Sequence, residues 1–390
     1  MFRQKGMVMS EEKKSKRLVN FAELAQLVEI NSYTKNKAGV DQVGKLYSQW
    51  MAAIGFNIER HSRVDIGDHI LYKSAKRKGK KVLLLGHFDT VFPPGTFEAF
   101  HEDPEWIYGP GVCDMKGGNY VALSALRQVY KDFGHVANID VLMVSDEESG
   151  SDDSKYLTQE IAKDYDLCLV FEAAGPENEV VIARKGVATY QISITGKAAH
   201  AGNHYHAGIN ANLAAAHIII ELTALTRNSF GTTVNTGKMS GGIGANTISP
   251  HATITVEARF NNKTEKERVL SEIERIATTP FVNGVKSSFT GGLQRDVMQI
   301  SNKQALLIKE LEDLIGRPLK VEKRGGVSDA NTVSAMGVPT LDGFGPFGDG
   351  DHTIHERANK ESFINRVDDV TKILAHFNGK TSESNIEKVA

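Results

Sequence analysis

The sequence predicts an α/β chain with a largely parallel sheet, helices on both faces and an inserted α+β domain. Three observations carry that prediction. At 390 residues the chain is too long for one ordinary core and is expected to divide into two domains. Strand-like apolar runs at 70–73, 81–85, 139–144 and 167–171 alternate with helical stretches, the order of parallel-sheet domains. Near Lys185 the pattern changes to a β-α-β-β-α-β order over about 110 residues, which suits a small two-layer ferredoxin-like unit.

Taken in order, residues 1–14 read as a solvated tail. Leu18, Phe21, Leu24, Leu27 and Val28 recur at helical spacing over 15–30. A second helix spans 40–54 and stops at Gly55. After the first strands come helices at 117–129 and 154–163. The inserted unit reads as strand 189–195, helix 209–225, strands 232–238 and 253–260, helix 263–277 and strand 285–289. Helix–strand alternation resumes from 302. The expected domains are 1–184 and 297–390, forming one discontinuous α/β domain, and the insertion 185–296. Neither an internal repeat nor a low-complexity linker is visible.

Composition excludes several classes. Apolar residues make 41% and charged residues 24%, a globular profile rather than a disordered one. With 46 basic and 48 acidic side chains the formal charge is −2, so no nucleic-acid or anionic-membrane partner is expected. The apolar runs are far shorter than the roughly 20 residues of a spanning helix. The first residues, MFRQKGMVMSEEKKSKR, hold no apolar signal core. Two cysteines, Cys113 and Cys168, form no CxxC pattern, and a reducing cytoplasm is expected.

The chemistry-bearing residues gather at strand ends. VLLLGHFDTV ends a strand with His87 and Asp89 at its carboxyl end, where open α/β sheets bind ligands. Alone, an H-x-D is as well explained by a structural pair. GPGVCDMKGG places Asp114 in a glycine-rich turn before a helix, where an N-cap is the plain explanation. The next strand runs into SDEESGS, with Asp146, Glu147 and Glu148, and the following one into Phe171-Glu172. So many carboxylates on one sheet edge would repel one another unless cations sat among them. Imidazoles and carboxylates without thiolates suit zinc, cobalt or manganese. GFGPFGDGDHTIHE supplies a last imidazole, His352 or His355.

The ordered set GHFDTV, GPGVCDMKGG, SDEESGS, FE, GKAAHAG, GGIGANTIS, EARF, RGGVSDANT and HTIHE resembles one family. It is that of the dinuclear zinc metallopeptidases: glutamate carboxypeptidase, aminoacylase, acetylornithine deacetylase and succinyl-diaminopimelate desuccinylase. GHFDTVFPPGTF, SDEESGS and EARF look most like the glutamate carboxypeptidase branch. The resemblance implies two Zn2+ per chain, with Co2+ or Mn2+ as substitutes. His87, Asp114 and Glu172 would hold one ion, and Glu148 and His352 the other, with Asp114 bridging. The family pattern H-x-x-x-E selects His352 over His355, although GDGDH departs from the usual apolar lead-in. Glu147 would be the general base, and Asp89 the carboxylate orienting His87.

In the insertion, His200 would reach a partner subunit's site, making the protein a homodimer through a dimerisation/lid domain. Asn246, Arg259 and Arg295 match positions contacting the substrate carboxylate or the hinge, though GGLQRD around Arg295 matches only loosely. NHYHAG lacks the family's proline and leaves His204 and His206 without a role. The implied activity is hydrolysis of a peptide or N-acyl amide, releasing an amino acid with a free carboxylate. A hydroxide shared by the two ions would attack, and Glu147 would shuttle the proton. Deacylases, deacetylases and aminopeptidases of the family are the enzymatic alternatives, and an inactive binding relative is the non-enzymatic one.

Overall fold

A computed structural model describes residues 19–379. The expected tail at 1–14 and the start of the first expected helix lie outside the described residues. One unit takes the chain up to Ile182, Ile300–Lys323 and the chain from Ser328 onward. The other comprises Ala183–Gln299 and the short return Arg324–Val327.

The first unit is built on a six-stranded sheet. Its strands are β1 (Asn57–His61), β2 (His69–Lys73), β3 (Val82–His87), β6 (Ile139–Val144), β7 (Leu167–Val170) and β14 (Thr340–Leu341), in the order β1-β2-β6-β3-β7-β14. Strands β6, β3, β7 and β14 are mutually parallel, while β1 and β2 run antiparallel at one edge. Every residue of β3 is buried, as a central parallel strand covered on both faces should be. Truncating one of its leucines would cost about 2–5 kcal/mol through lost burial and a residual cavity.

Parallel pairing decides where the ends fall. His87 pairs with Val144 and Leu85 with Val170, so the carboxyl ends of β3, β6 and β7 share one edge. The helix Lys116–Phe133 packs against this sheet and is buried for most of its length. It ends at Gly134, whose φ of 71° is the left-handed conformation that closes helices. Its first turn can approach the end of β7 only because it carries Gly118. A Cβ on Gly118 would stand 1.8 Å from the Phe171 carbonyl oxygen. That close approach brings the turn holding Asp114 beside Glu172.

The helix Lys37–Ala52 starts at Asn36, whose side chain accepts the Gly39 N–H at 3.3 Å. A small antiparallel sheet of β4 (His101–Glu102), β5 (Trp106–Tyr108), β15 (Gly348–Asp349) and β16 (Arg357–Asn359) was not expected from the sequence. Asp349 and Arg357 close the hairpin between β15 and β16 through two bonds of 2.8 and 3.0 Å.

The second unit has its own core and a four-stranded antiparallel sheet. Its strands are β9 (Gly186–Thr195), β10 (Thr233–Gly241), β11 (His251–Phe260) and β12 (Lys286–Arg295), ordered β10-β11-β9-β12. With the helices Ala211–Ala224 and Lys263–Thr278 the chain order is β-α-β-β-α-β. The expected strand 285–289 is longer than read and includes Arg295, because Gly291 and Gly292 sit within it as paired strand residues. Among the described residues no helix is long and apolar enough to cross a membrane.

Candidate metal centre

His87, Asp114 and Glu148 present ligand atoms that all lie within 4.8 Å of one another. Each arrives on a different element. His87 ends β3; Asp114 stands before the Lys116–Phe133 helix; Glu148 lies in the short turn after β6. Asp114 divides its two oxygens: Oδ1 is 3.2 Å from His87 Nε2 and Oδ2 is 3.3 Å from His352 Nε2. His87 Nε2 is also 3.6 Å from Glu172 Oε1, and His352 Nε2 is 3.2 Å from Glu148 Oε2. The structure thus gathers His87, Asp114, Glu148, Glu172 and His352 into two groups that meet at one carboxylate.

His352 occupies the turn between β15 and β16 with φ 61°. This left-handed conformation is uncommon outside glycine, although histidine tolerates it better than most residues. His355 is exposed and takes no part.

Asp89 is buried and organises the loop of Glu147 and Glu148. Its Oδ1 accepts the Glu147 N–H and its Oδ2 the Glu148 N–H, both at 3.2 Å. Oδ2 also accepts the Thr34 hydroxyl at 2.7 Å. His87 Nδ1 lies 2.9 Å from the Asp89 carbonyl and 3.4 Å from Asp89 Oδ1, which makes Nδ1 the protonated nitrogen and leaves Nε2 to bind a cation. Glu147 is half-buried on the same loop.

The carboxylates and imidazoles of this site shift one another strongly. Burial opposes a charged imidazole at His87, yet bonds to Asp114, Asp89 and Glu172 hold its pKa well above the ordinary value. Asp114 and then Glu148 raise His352 to about 11 against a smaller burial effect. Burial, followed by the Asp114 charge, pushes both Glu148 and Glu172 upward. Burial opposes ionisation of Asp114, but His352 and His87 keep its pKa far below the usual range. Imidazole protons here balance what metal ions would balance. The nitrogen-and-oxygen donor set fits zinc-type ions. Cys113 adds no thiolate, since burial pushes its thiol well up.

One residue of this site was visible in the sequence only as the end of H-x-x-x-E. Glu356 is buried and accepts the N–H groups of Gly111, Cys113 and Asp114 at 2.9, 2.9 and 3.0 Å. It holds the Asp114 turn from four residues beyond His352. Only the glycine-rich turn, with successive free N–H groups, hinted at such an acceptor.

The other expected residues lie in the second unit. His200 is exposed, and its Nδ1 accepts the Gly202 and Asn203 N–H groups, each at 3.1 Å. Nε2 therefore carries the proton and is a donor. Asn246 is exposed beside it, its carbonyl accepting the Ala201 N–H at 2.9 Å. The Arg259 fork is engaged by Glu257, at 2.7 and 3.2 Å, and by the Gly325 carbonyl at 2.9 Å. Arg295 is buried. His204 and His206 are exposed in the loop after His200.

Comparison with known proteins gives the chain its family. The model of peptidase family M20/M25/M40 matches residues 83–376. Carboxypeptidase G2 of Pseudomonas sp. (strain RS-16) is 30% identical over 348 residues, 85% of this chain and 82% of that protein. The aminopeptidase PepT structure from Bacillus cereus superposes with a TM-score of 0.78 at 23% identity, covering 93% of this chain and 98% of that one. A dinuclear metal binding peptidase of the M20 family from Bacillus subtilis gives a TM-score of 0.69 at 14% identity, with coverage of 94% and 99%. With the family pattern spanning both strand-end clusters and 30% identity over most of its length, this chain belongs to the M20/M25/M40 peptidase family.

Proposed function

We propose that this metallopeptidase-family hydrolase is a dinuclear zinc carboxypeptidase or amidohydrolase, releasing an amino acid with a free α-carboxylate from a small peptide or N-acyl amide. The observation that carries the reading is the Asp114 carboxylate, whose two oxygens face His87 and His352 separately. His87, Asp114 and Glu172 are assigned to one ion, Glu148 and His352 to the other, and Asp114 to both. Two such ions would acidify a shared water toward a pKa of about 7 and polarise the scissile carbonyl. Glu147 takes the proton of the attacking water and passes it to the leaving amine. Asp89 keeps the Glu147 loop and the His87 tautomer in place.

His200, a donor at Nε2, is assigned to the developing oxyanion of a partner subunit's site. Support for a two-fold dimer comes from edge strand β10 and from the exposed Leu213, Ile220 and Met239 near it. Arg259 and Arg295 are assigned to the α-carboxylate, with Asn246 beside the substrate; the bidentate Glu257–Arg259 pair illustrates the carboxylate geometry that this fork accepts. The same pair favours one rival, an aminopeptidase, because it leaves the Arg259 fork already filled.

The test is a panel of dipeptides and N-acyl amino acids, each as the free acid and the α-amide, with added zinc, cobalt or manganese. The acids should be strongly preferred, since a neutral amide offers neither the charge nor the paired oxygens that a guanidinium fork takes. Equal kcat/KM for acid and amide, or a requirement for a free amino terminus, would eliminate the carboxypeptidase reading.

A further inference from the structure

We propose that Thr34 is a positioning residue for the metal centre, and that the segment from Val28 to Thr34 is a strap fastening two of its ligand loops. The segment precedes the family-matched region, which begins at residue 83, and no sequence motif marked it. It runs beside the chain that leaves β3. The Thr34 N–H donates to the Thr90 carbonyl at 3.2 Å, the Thr90 N–H to the Ser32 carbonyl at 2.9 Å, and Asn31 Nδ2 to the Phe92 carbonyl at 3.0 Å. From this ladder the buried Thr34 hydroxyl donates 2.7 Å to Asp89 Oδ2. The other end is tied to the second loop, because the buried Lys116, two residues past Asp114, donates to the Ile30 carbonyl at 2.8 Å.

The physical argument concerns what Asp89 must do with two oxygens. Oδ1 receives the Glu147 N–H and faces His87 Nδ1, while Oδ2 receives the Glu148 N–H. A carboxylate serving three groups from two loops is free to rotate unless something fixes its plane. The Thr34 hydroxyl adds a side-chain donor on Oδ2, and it comes from a segment tied to the chain after β3 and to Lys116 rather than to the Glu147–Glu148 loop. Thr34 touches no reacting atom and acts through Asp89.

The inference rests on the proposed role of Asp89, so Asp89→Asn is measured alongside Thr34→Val. Readouts are Zn2+ affinity by competition with a chromophoric chelator, kcat and KM at saturating zinc on the best substrate of the panel, and Tm. Thr34→Val should weaken zinc and lower kcat about tenfold, the effect of losing a hydrogen bond to a charged group that supports a ligand. KM should stay unchanged, Tm should fall by only a few degrees, and Thr34→Ser should restore wild-type values. In the Asp89→Asn background Thr34→Val should add nothing, because the hydroxyl acts only through that carboxylate. Thr34→Ala repeats the measurement should the valine variant fail to fold. Impaired Asp89→Asn with wild-type Thr34→Val overturns the strap while leaving the Asp89 role intact, as does full multiplication of the two losses. Wild-type zinc affinity and kcat in Asp89→Asn overturns both.

Discussion

Replacing Asp114 by alanine separates a shared ligand from an ordinary one. Its oxygens lie 3.2 and 3.3 Å from the His87 and His352 nitrogens, so the substitution strips a donor and a negative charge from both groups at once. Replacing even a partner that only supports a ligand costs 10–100-fold in metal affinity. Losing the ligand itself should therefore cost at least about 100-fold at each position, or about 2.8 kcal/mol per ion. The turn should survive, because the Asp114 main-chain N–H, not its side chain, is held by Glu356. Glu172→Ala is the matched control, since Glu172 faces His87 alone among the imidazoles. After dialysis against metal-free buffer, elemental analysis should find Asp114→Ala falling from two ions per chain toward zero, and Glu172→Ala toward one. Two tightly held ions in Asp114→Ala would refute the bridging assignment. So would a control that loses both ions while Asp114→Ala loses one.

Other perturbations test the remaining roles. Glu147→Gln should keep its metal and lose about 10²–10⁴ in kcat, as removal of a general base does; normal metal content with near-wild-type turnover removes Glu147 from that role. Mixing inactive His200→Ala with inactive Glu147→Gln under subunit exchange should restore up to about a quarter of wild-type activity if His200 acts across a two-fold dimer; a verified heterodimer that stays inactive, or a monomer by light scattering, sinks it. Asp68 tests stability: burial opposes its charge, but Lys37 at 2.8 Å, the Arg63 N–H at 2.9 Å and Arg60 at 3.1 Å hold its pKa at about 2. A depressed folded pKa stabilises fully above the unfolded value near 4 and is lost as pH falls toward 2. Asp68→Asn should thus cost up to about 2 kcal/mol at pH 6, shrinking toward pH 2 in denaturant titrations; a difference constant with pH removes the ionic account.

The fold was legible wherever burial writes a period into the sequence. The runs at 139–144 and 167–171 fall on β6 and β7 almost residue for residue, because a strand covered on both faces is nearly all apolar, with the half-buried Asp140 the exception. The β-α-β-β-α-β order of the second unit was legible for a related reason, its central strands β9 and β11 alternating buried with more exposed residues. Strand β1 was not, since four of its five residues are exposed and pairing with β2 alone defines it. The sheet of β4, β5, β15 and β16 consists of two- and three-residue strands, too short for any period. What holds it is tertiary: Arg357 stacks over the Trp106 ring at 4.0 Å while pairing with Asp349.

The site divides along the same physical line. A ligand at a strand's end inherits the strand's legibility, so His87, Glu148 and Glu172 could be placed on one edge once the sheet was read as parallel. Asp114 was legible as a bridge only through the family resemblance and not from its spacing, because its dual contact depends on Gly118 letting the helix start against the Phe171 carbonyl, a distance that no spacing encodes. His352 needed more still: a left-handed turn on a two-residue hairpin strand that only the assembled small sheet creates. Supporting residues were least legible of all. Glu356 and Thr34 act on groups more than 50 residues away, on main-chain N–H groups and on another side chain's oxygen. Such contacts ask only for a carboxylate or a hydroxyl at the right point in space, and leave the local pattern around them unmarked. The nearer a residue stands to the reacting atoms, the more its chemical type restricts the sequence; the residues that orient it are restricted mainly by position, and position is what the fold adds.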